Sequence, residues 1–178
     1  IRVMHMLTET ACNLLVSAQL AFRKYYQAHE VVFTFRQLVE KAVEWRAPHV
    51  YIMDGDIKKA YDYASHCASA LAARERGMHE VFIHASLREW RRMTSIFRLD
   101  TDATSGEVTF TRSLPQGDPA APMDFNMILD TLAEKFLVTA ATKEGDAPLR
   151  QQLGHLILFA DNYWLVATSP TMLSAMTN

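Results

Sequence analysis

One stretch constrains this chain more than any other: an apolar run that ends in acids and passes at once into a helical pattern. It reads Val50-Tyr51-Ile52-Met53-Asp54-Gly55-Asp56, then Ile57-Lys58-Lys59-Ala60-Tyr61-Asp62. Such a pattern describes a short strand whose last carboxylates emerge at a sheet edge before the chain turns into a helix. Far downstream, Leu156-Ile157-Leu158-Phe159-Ala160 and Tyr163-Trp164-Leu165-Val166-Ala167 are strand-like runs. Between them stand Asp161 and Asn162, two residues suited to a tight hairpin turn, which puts Asp161 at the hairpin's tip. If both elements join one sheet, Asp56 and Asp161 meet at one edge, where their oxygens suit divalent cations. The backbone carbonyl of Ile57, next to Asp56, adds a further hard oxygen donor for Mg²⁺. Asp54 is the second choice, because a register differing by two keeps it on the same face as Asp56.

With 178 residues, 49% of them hydrophobic and 21% charged, the chain suits one folded domain with a substantial core. A net charge of −2 gives no overall pull toward nucleic acid, so a polyanion site has to come from local clusters. Cys12 and Cys67 are isolated, which argues against a zinc knuckle and for reduced thiols in an intracellular protein. Its seven histidines are scattered. No apolar run approaches the ~18 residues of a membrane span, so a soluble protein is expected. The chain opens at Ile1 without an initiator Met and reads as a piece of something longer.

In order, the periodicity predicts a helix from Thr8 carrying Ala11, Leu14, Leu15, Ala18, Phe22 and Tyr25 on one stripe. A second helix sets Phe35, Leu38, Val39, Ala42, Val43 and Arg46 on a core-facing stripe and stops at Pro48. After the strand, one helix is predicted from Lys58 to Arg76, closed by Gly77. Another carries Val81, Phe82, Ala85, Leu87 and Trp90, with Arg88, Arg91 and Arg92 on a solvated face. Residues 95–99 and 107–111 alternate as a hairpin around a turn at 100–106. The loop Pro115-Gln116-Gly117-Asp118-Pro119-Ala120-Ala121-Pro122 leads into a helix that buries Phe125, Ile128, Leu129, Leu132, Phe136 and Ala140. A polar linker, 142–154, precedes the Asp161 hairpin, and Ser169-Pro170 starts a last helix. This order argues for α+β: a mostly antiparallel sheet with helices on one face.

Three of these pieces resemble the palm of reverse transcriptases, nearest to the non-LTR retrotransposon and group II intron branch. They are Asp56 with the aromatic Tyr61 five positions on, the Gln116-Gly117-x-Pro119-x-x-Pro122 loop before a helix, and Phe159-Ala160-Asp161-Asn162 in a hairpin. The likeness covers about residues 50 to 168; upstream, Ile1-Arg2-Val3-Met4 and Phe33-Thr34-Phe35-Arg36 look like remnants of the fingers. It implies a single domain fragment, with partial fingers at 1–48, a palm at 49–178 cut short at its C-terminal end, and no thumb. It implies RNA-directed DNA synthesis on an RNA template and DNA primer from dNTPs, with two Mg²⁺ ions or Mn²⁺ in their place. Asp56 and Asp161 would be the catalytic, metal-binding carboxylates. Tyr61 would lie under the sugar of the incoming nucleotide and exclude a 2′-hydroxyl. Gln116 and Gly117 would contact the template and nascent base pair, and Arg2 would reach the triphosphate.

The chain departs from the family pattern in places. Asn162 stands where a second Asp is usual, removing one negative charge and weakening Mg²⁺ binding. Ala121 replaces a usual Ser, and no thumb, nuclease or RNase H segment is recognisable. Two alternatives stand beside the polymerase: a vestigial palm scaffold that binds nucleic acid, and an RNA-directed RNA polymerase, which the bulk of Tyr61 disfavours.

Overall fold

The computed structural model describes residues 18–23, 25–44, 49–98, 100, 103–143 and 156–177, and the account of side chains leaves out 137–143. Helix α1 (Ala28–Glu44) precedes strand β1 (Tyr51–Asp56), and three helices follow: α2 (Ala60–Tyr63), α3 (His66–Glu75) and α4 (Glu80–Arg92). A two-residue ladder joins β2 (Thr94–Ser95) to β3 (Val108–Thr109). Helix α5 (Ala121–Lys143), strands β4 (Leu156–Phe159) and β5 (Asn162–Ala167), and helix α6 (Pro170–Thr177) complete the described chain.

The main sheet is antiparallel, in the order β1-β5-β4. Across β1 and β5 the register pairs Tyr51 with Ala167, Met53 with Leu165, Asp54 with Trp164, Gly55 with Tyr163 and Asp56 with Asn162. Because side chains alternate between the faces of a sheet, Met53, Leu165 and Ala167 share one face. There they pack with Phe136 of α5 and Met172, Leu173 and Met176 of α6. Trp164, Val166 and Ile157 point the other way, onto Val31, Phe35 and Leu38 of α1. Phe35 meets Trp164 edge-on with ring centroids 5.7 Å apart. Helix α1 stops short of β1, so Ile52, Asp54 and Asp56 stay exposed.

Gly55 is required by its cross-strand partner, since a Cβ at that position would overlap the Tyr163 ring. A second core lies between helices. The small faces of α3 (Ala70, Ala72, Ala73) allow close approach to Met123 and Met127 of α5. Arg76, just past α3, is ion-paired to the buried Asp130 at 2.7 Å and to Glu134 at 2.9 Å.

Several elements differ from the sequence expectation. The first predicted helix lies mostly outside the described residues, and the part that is described is not helical. Gln19 instead bridges Leu158 in parallel, Phe22 and Tyr25 take positive φ, and backbone bonds from Leu158 to Ala18 and from Leu20 to Leu158 bind this segment to β4. Helical periodicity in the side chains was outweighed by the open edge of a sheet.

The single helix expected over 58–76 is broken at Ala64 and Ser65. Ser65 caps α3 by accepting the Ala68 N–H, and the carbonyls of Tyr61 and Ala64 accept N–H groups of Leu114 and Ser113, each at 2.9 Å. The hairpin turn is Ala160-Asp161, one residue earlier than expected, because Asn162 already pairs with Phe159. Among the described residues, the 95–111 hairpin forms a two-residue ladder, a bridge between Arg98 and Thr104, and a bond from the Ser105 N–H to the Phe97 carbonyl.

On α1, Val39 and Val43 are exposed rather than core, and so is Leu132 on α5. The solvated face of α4 is as expected, with Arg88, Arg91 and Arg92 exposed. Among the described residues no helix is long and apolar enough to cross a membrane.

Candidate active site

The ladder between β1 and β5 fixes where the two acids go. Asp56 ends β1 directly opposite Asn162, and the next N–H along, that of Ile57, donates to the carbonyl of Asp161 at 3.0 Å. The strand end and the hairpin turn are thus joined backbone to backbone. Asp56 is exposed and Asp161 half-buried. Asp54 stands two residues back along the strand, opposite Trp164 and away from the turn.

Past Asp56 the chain turns sharply. Lys59 takes a left-handed φ of 54° before the short helix α2, and this brings Tyr61 back toward the turn. The Tyr61 ring stacks on Phe125 of α5, with centroids 4.9 Å apart and planes 24° apart. Burial, and second the charge of Asp161, push the Tyr61 phenol above its ordinary value.

Since the carbonyls of Tyr61 and Ala64 are taken by Leu114 and Ser113, the loop that follows lies against the same short helix. His66 adds to this hold, donating from Nε2 to the Ser113 carbonyl at 2.8 Å while stacked on Trp90. Tyr61, Pro115, Gln116, Gly117, Ala121 and Pro122 line a cavity of about 340 Å³. Gly117 has a φ of 92°, in the region open to glycine and strained for other residues. Asp56, Tyr61, Gln116, Gly117 and Asp161, separate in sequence, are therefore gathered on neighbouring elements. Arg2 lies outside the described residues.

Behind the loop, α4 and α5 enclose a larger cavity of about 550 Å³, walled by residues that include Phe82, Trp90, Met123, Asp118 and Asp124. Burial, and second the nearby charge of Asp118, push the Asp124 carboxyl up to about 7. Asp118 itself accepts the Ala120 N–H at 2.9 Å ahead of α5.

A family model described as "Reverse transcriptase (RNA-dependent DNA polymerase)" matches residues 2–178. The chain belongs to the reverse transcriptase family. The retrovirus-related Pol polyprotein from type-1 retrotransposable element R2 of Popillia japonica is 28% identical over 130 residues, 69% of this chain and 17% of that protein. The chain thus spans about a sixth of the length of this curated relative. Two solved structures share the fold at 10% identity: apo telomerase from Candida tropicalis truncated from its C-terminal domain, and telomerase from Candida albicans with a fragment of telomeric RNA. Each aligns with 99% of this chain; the first has a TM-score of 0.73 over 36% of its own chain, the second 0.62 over 32%. The α+β, palm-like architecture expected from the sequence agrees with these likenesses, but the helices cover both faces of the sheet rather than one, α1 on one side and α5 and α6 on the other.

Reverse transcriptases use divalent metal ions, and the donors of this reverse transcriptase chain suit a hard cation. No cluster of three or more His, Cys, Asp or Glu ligands occurs among the described residues. Asp56 and Asp161, on backbones joined by the Ile57 to Asp161 hydrogen bond, and a neighbouring carbonyl offer oxygens of the kind Mg²⁺ accepts, few in number as in sites that leave room for water and phosphates.

Sequence reasoning missed two residues behind the turn. Gln19 and Asn126 are both completely buried. Gln19 Oε1 accepts the N–H groups of Ala21 at 3.0 Å and Ala160 at 3.3 Å, and Asn126 Nδ2 donates to the Ala21 carbonyl at 2.8 Å. Ala160 has a φ of 57°, a conformation that costs an L-residue about 1–2 kcal/mol. An amide among the buried apolar positions of α5 is a readable signal for Asn126. Gln19 carried none, because it sat inside a stretch that read as helix.

Proposed function

We propose that this chain is the catalytic segment of an RNA-directed DNA polymerase from a retroelement, acting within a longer polyprotein that supplies the thumb. Residues 49–178 form the palm and residues 1–48 part of the fingers. Its substrates are an RNA template, a DNA primer and dNTPs. The observation that carries this reading is the meeting of Asp56 with the Asp161 turn, through the Asp56–Asn162 pair and the Ile57 to Asp161 bond.

Asp56, Asp161 and the Ile57 carbonyl would hold two Mg²⁺ ions, or Mn²⁺. When bound, such ions lower the pKa of the primer 3′-hydroxyl and stabilise charge on the transferring phosphate. Tyr61, set by its stack on Phe125, lies beneath the sugar of the incoming nucleotide and leaves no room for a 2′-hydroxyl. Gln116 and the backbone of Gly117, which line the same cavity as Tyr61, meet the template and nascent base pair. Arg2 reaches the triphosphate.

The test is primer extension on an RNA template by the intact parent polypeptide, with Mg²⁺ and with Mn²⁺. Asp161→Ala and Asp56→Ala each reduce synthesis by roughly a thousandfold, as expected for removal of a metal-binding carboxylate. Tyr61→Ala admits ribonucleotides while still extending with dNTPs. Undiminished synthesis in Asp161→Ala rejects the metal assignment. Failure of the intact parent to extend in either metal leaves a scaffold that binds nucleic acid.

A further inference from the structure

The turn that carries Asp161 is not held by its own hairpin alone. Its first residue, Ala160, is in the left-handed region, and its N–H is met by the side chain of Gln19, from a segment 141 residues away in sequence. Gln19 is fixed at both ends. Its backbone lies along β4, where Leu158 donates to Ala18 at 2.8 Å and Leu20 donates to Leu158 at 2.9 Å. Its Oε1 is shared between the N–H groups of Ala160 and Ala21. Ala21 is in turn held from α5 by Asn126 at 2.8 Å, and Gln19, Ala21 and Asn126 are all completely buried.

We infer that Gln19 is a positioning residue for Asp161: its amide oxygen holds Ala160 in the left-handed turn and so sets the direction in which the Asp161 carboxylate leaves the hairpin. The inference rests on the reading of Asp161 as a metal-binding carboxylate. Without this acceptor, the buried Ala21 N–H and the half-buried Ala160 N–H lose their partner, which a folded chain avoids by shifting its backbone. Any such shift re-aims Asp161, the next residue. A misplacement near 1 Å in a catalytic group costs on the order of a hundredfold in rate. The upstream segment is thereby part of the catalytic apparatus rather than a neighbour of it.

The experiment compares Gln19→Leu, Gln19→Glu and Asp161→Ala in the intact parent polypeptide. It reads steady-state primer extension, thermal unfolding, and the Asp161-dependent share of Mn²⁺ binding followed by electron paramagnetic resonance without nucleotide. Gln19→Leu is expected to lower kcat roughly 10- to 100-fold with little change in the dNTP KM, and to weaken Mn²⁺ binding. Gln19→Glu keeps an acceptor oxygen and is expected to retain kcat within roughly fivefold. If Gln19→Leu fails to fold, Gln19→Asn withdraws the oxygen by one methylene and is read on the same scales, with a loss of kcat expected.

Unaltered kcat and Mn²⁺ binding in Gln19→Leu, or in Gln19→Asn where that variant replaces it, overturns the inference. So does an equal fall of kcat in Gln19→Leu and Gln19→Glu that tracks their melting temperatures, which marks a residue that serves only the core. If Asp161→Ala itself extends primers normally, the metal reading of Asp161 fails, an outcome distinct from either of these.

Discussion

Two acid pairs in this molecule are treated in opposite ways. Asp56 and Asp161 stand at the end of the main sheet, one exposed and one half-buried, on backbones tied together by the strand ladder and the Ile57 to Asp161 bond. Asp118 and Asp124 flank the start of α5, where Asp118 is spent on the Ala120 N–H and Asp124 is half-buried in the wall of the cavity between α4 and α5. At the sheet end, Asp56 is open to solvent and Asp161 partly so, which leaves room for the proposed cations. At the start of α5, desolvation first and the charge of Asp118 second push the Asp124 carboxyl up to about 7. Desolvation and a neighbouring like charge both disfavour an ionised acid, and Asp124 meets both.

The largest effect that separates the pairs is on catalysis. Asp161→Asn keeps the shape and removes the charge, and is expected to cut primer extension by roughly a thousandfold. Asp124→Asn, the same exchange in the other pair, is expected to leave extension within about threefold, because no part of the proposed chemistry runs through it. Equal losses in the two variants, measured side by side, break the comparison.

The next effect is on stability, and its sign is opposite to that of a salt-bridged acid. In the unfolded chain the Asp124 carboxyl ionises at its ordinary value near 4, whereas in the fold it does so at about 7. Between these values the native state holds more protons, so stability is lost as pH rises through that window and is lowest above it. Relative to the parent, Asp124→Asn is expected to stabilise by roughly 2–4 kcal/mol at pH 8, with the gain shrinking by about 2 kcal/mol at pH 5. Urea unfolding at the two pH values measures it, and a gain that does not change with pH contradicts the assignment.

A smaller effect tests the ladder under the first pair. Gly55→Ala forces the Tyr163 ring aside and is expected to cost about 1–3 kcal/mol, with activity falling further than stability because Asp56 is the next residue. Tyr163→Leu in the same chain is expected to recover part of both.

The smallest change sharpens the sheet-edge pair itself. Asn162→Asp adds a carboxylate opposite Asp56 and is expected to lower the Mg²⁺ needed for half-maximal extension a few-fold.

What the sequence made legible follows the same division. The strand that ends in Asp56 and the hairpin around Asp161 were readable because alternation and turn residues are local signals, and their pairing needs only a shared sheet. The turn was misplaced by one residue, since Asp-Asn is a favourable turn pair by composition whereas Ala160 is held in its unusual φ by Gln19 from far upstream. The break at Ala64 and Ser65 was invisible for a related reason. Alanine-rich helical propensity runs straight through it, and the carbonyls that end α2 are claimed by Ser113 and Leu114, about fifty residues later. Asp124 was unremarkable in the sequence, because burial in a cavity wall depends on how α4 meets α5. Local chemistry shows in the pattern of residues; the tertiary hydrogen bonds that aim it do not.

That Asp56 and Asp161 share bound cations is tested most directly by replacing Mg²⁺ with Fe²⁺ and adding hydrogen peroxide and ascorbate, so that the bound iron generates hydroxyl radicals that cut the nearby backbone. Cuts are predicted on both sides of the site in one titration, around residues 54–58 and 159–163, and Asp56→Ala is predicted to abolish both sets together. Cuts at only one of these segments, or cuts at 159–163 that persist in Asp56→Ala, contradict a shared site.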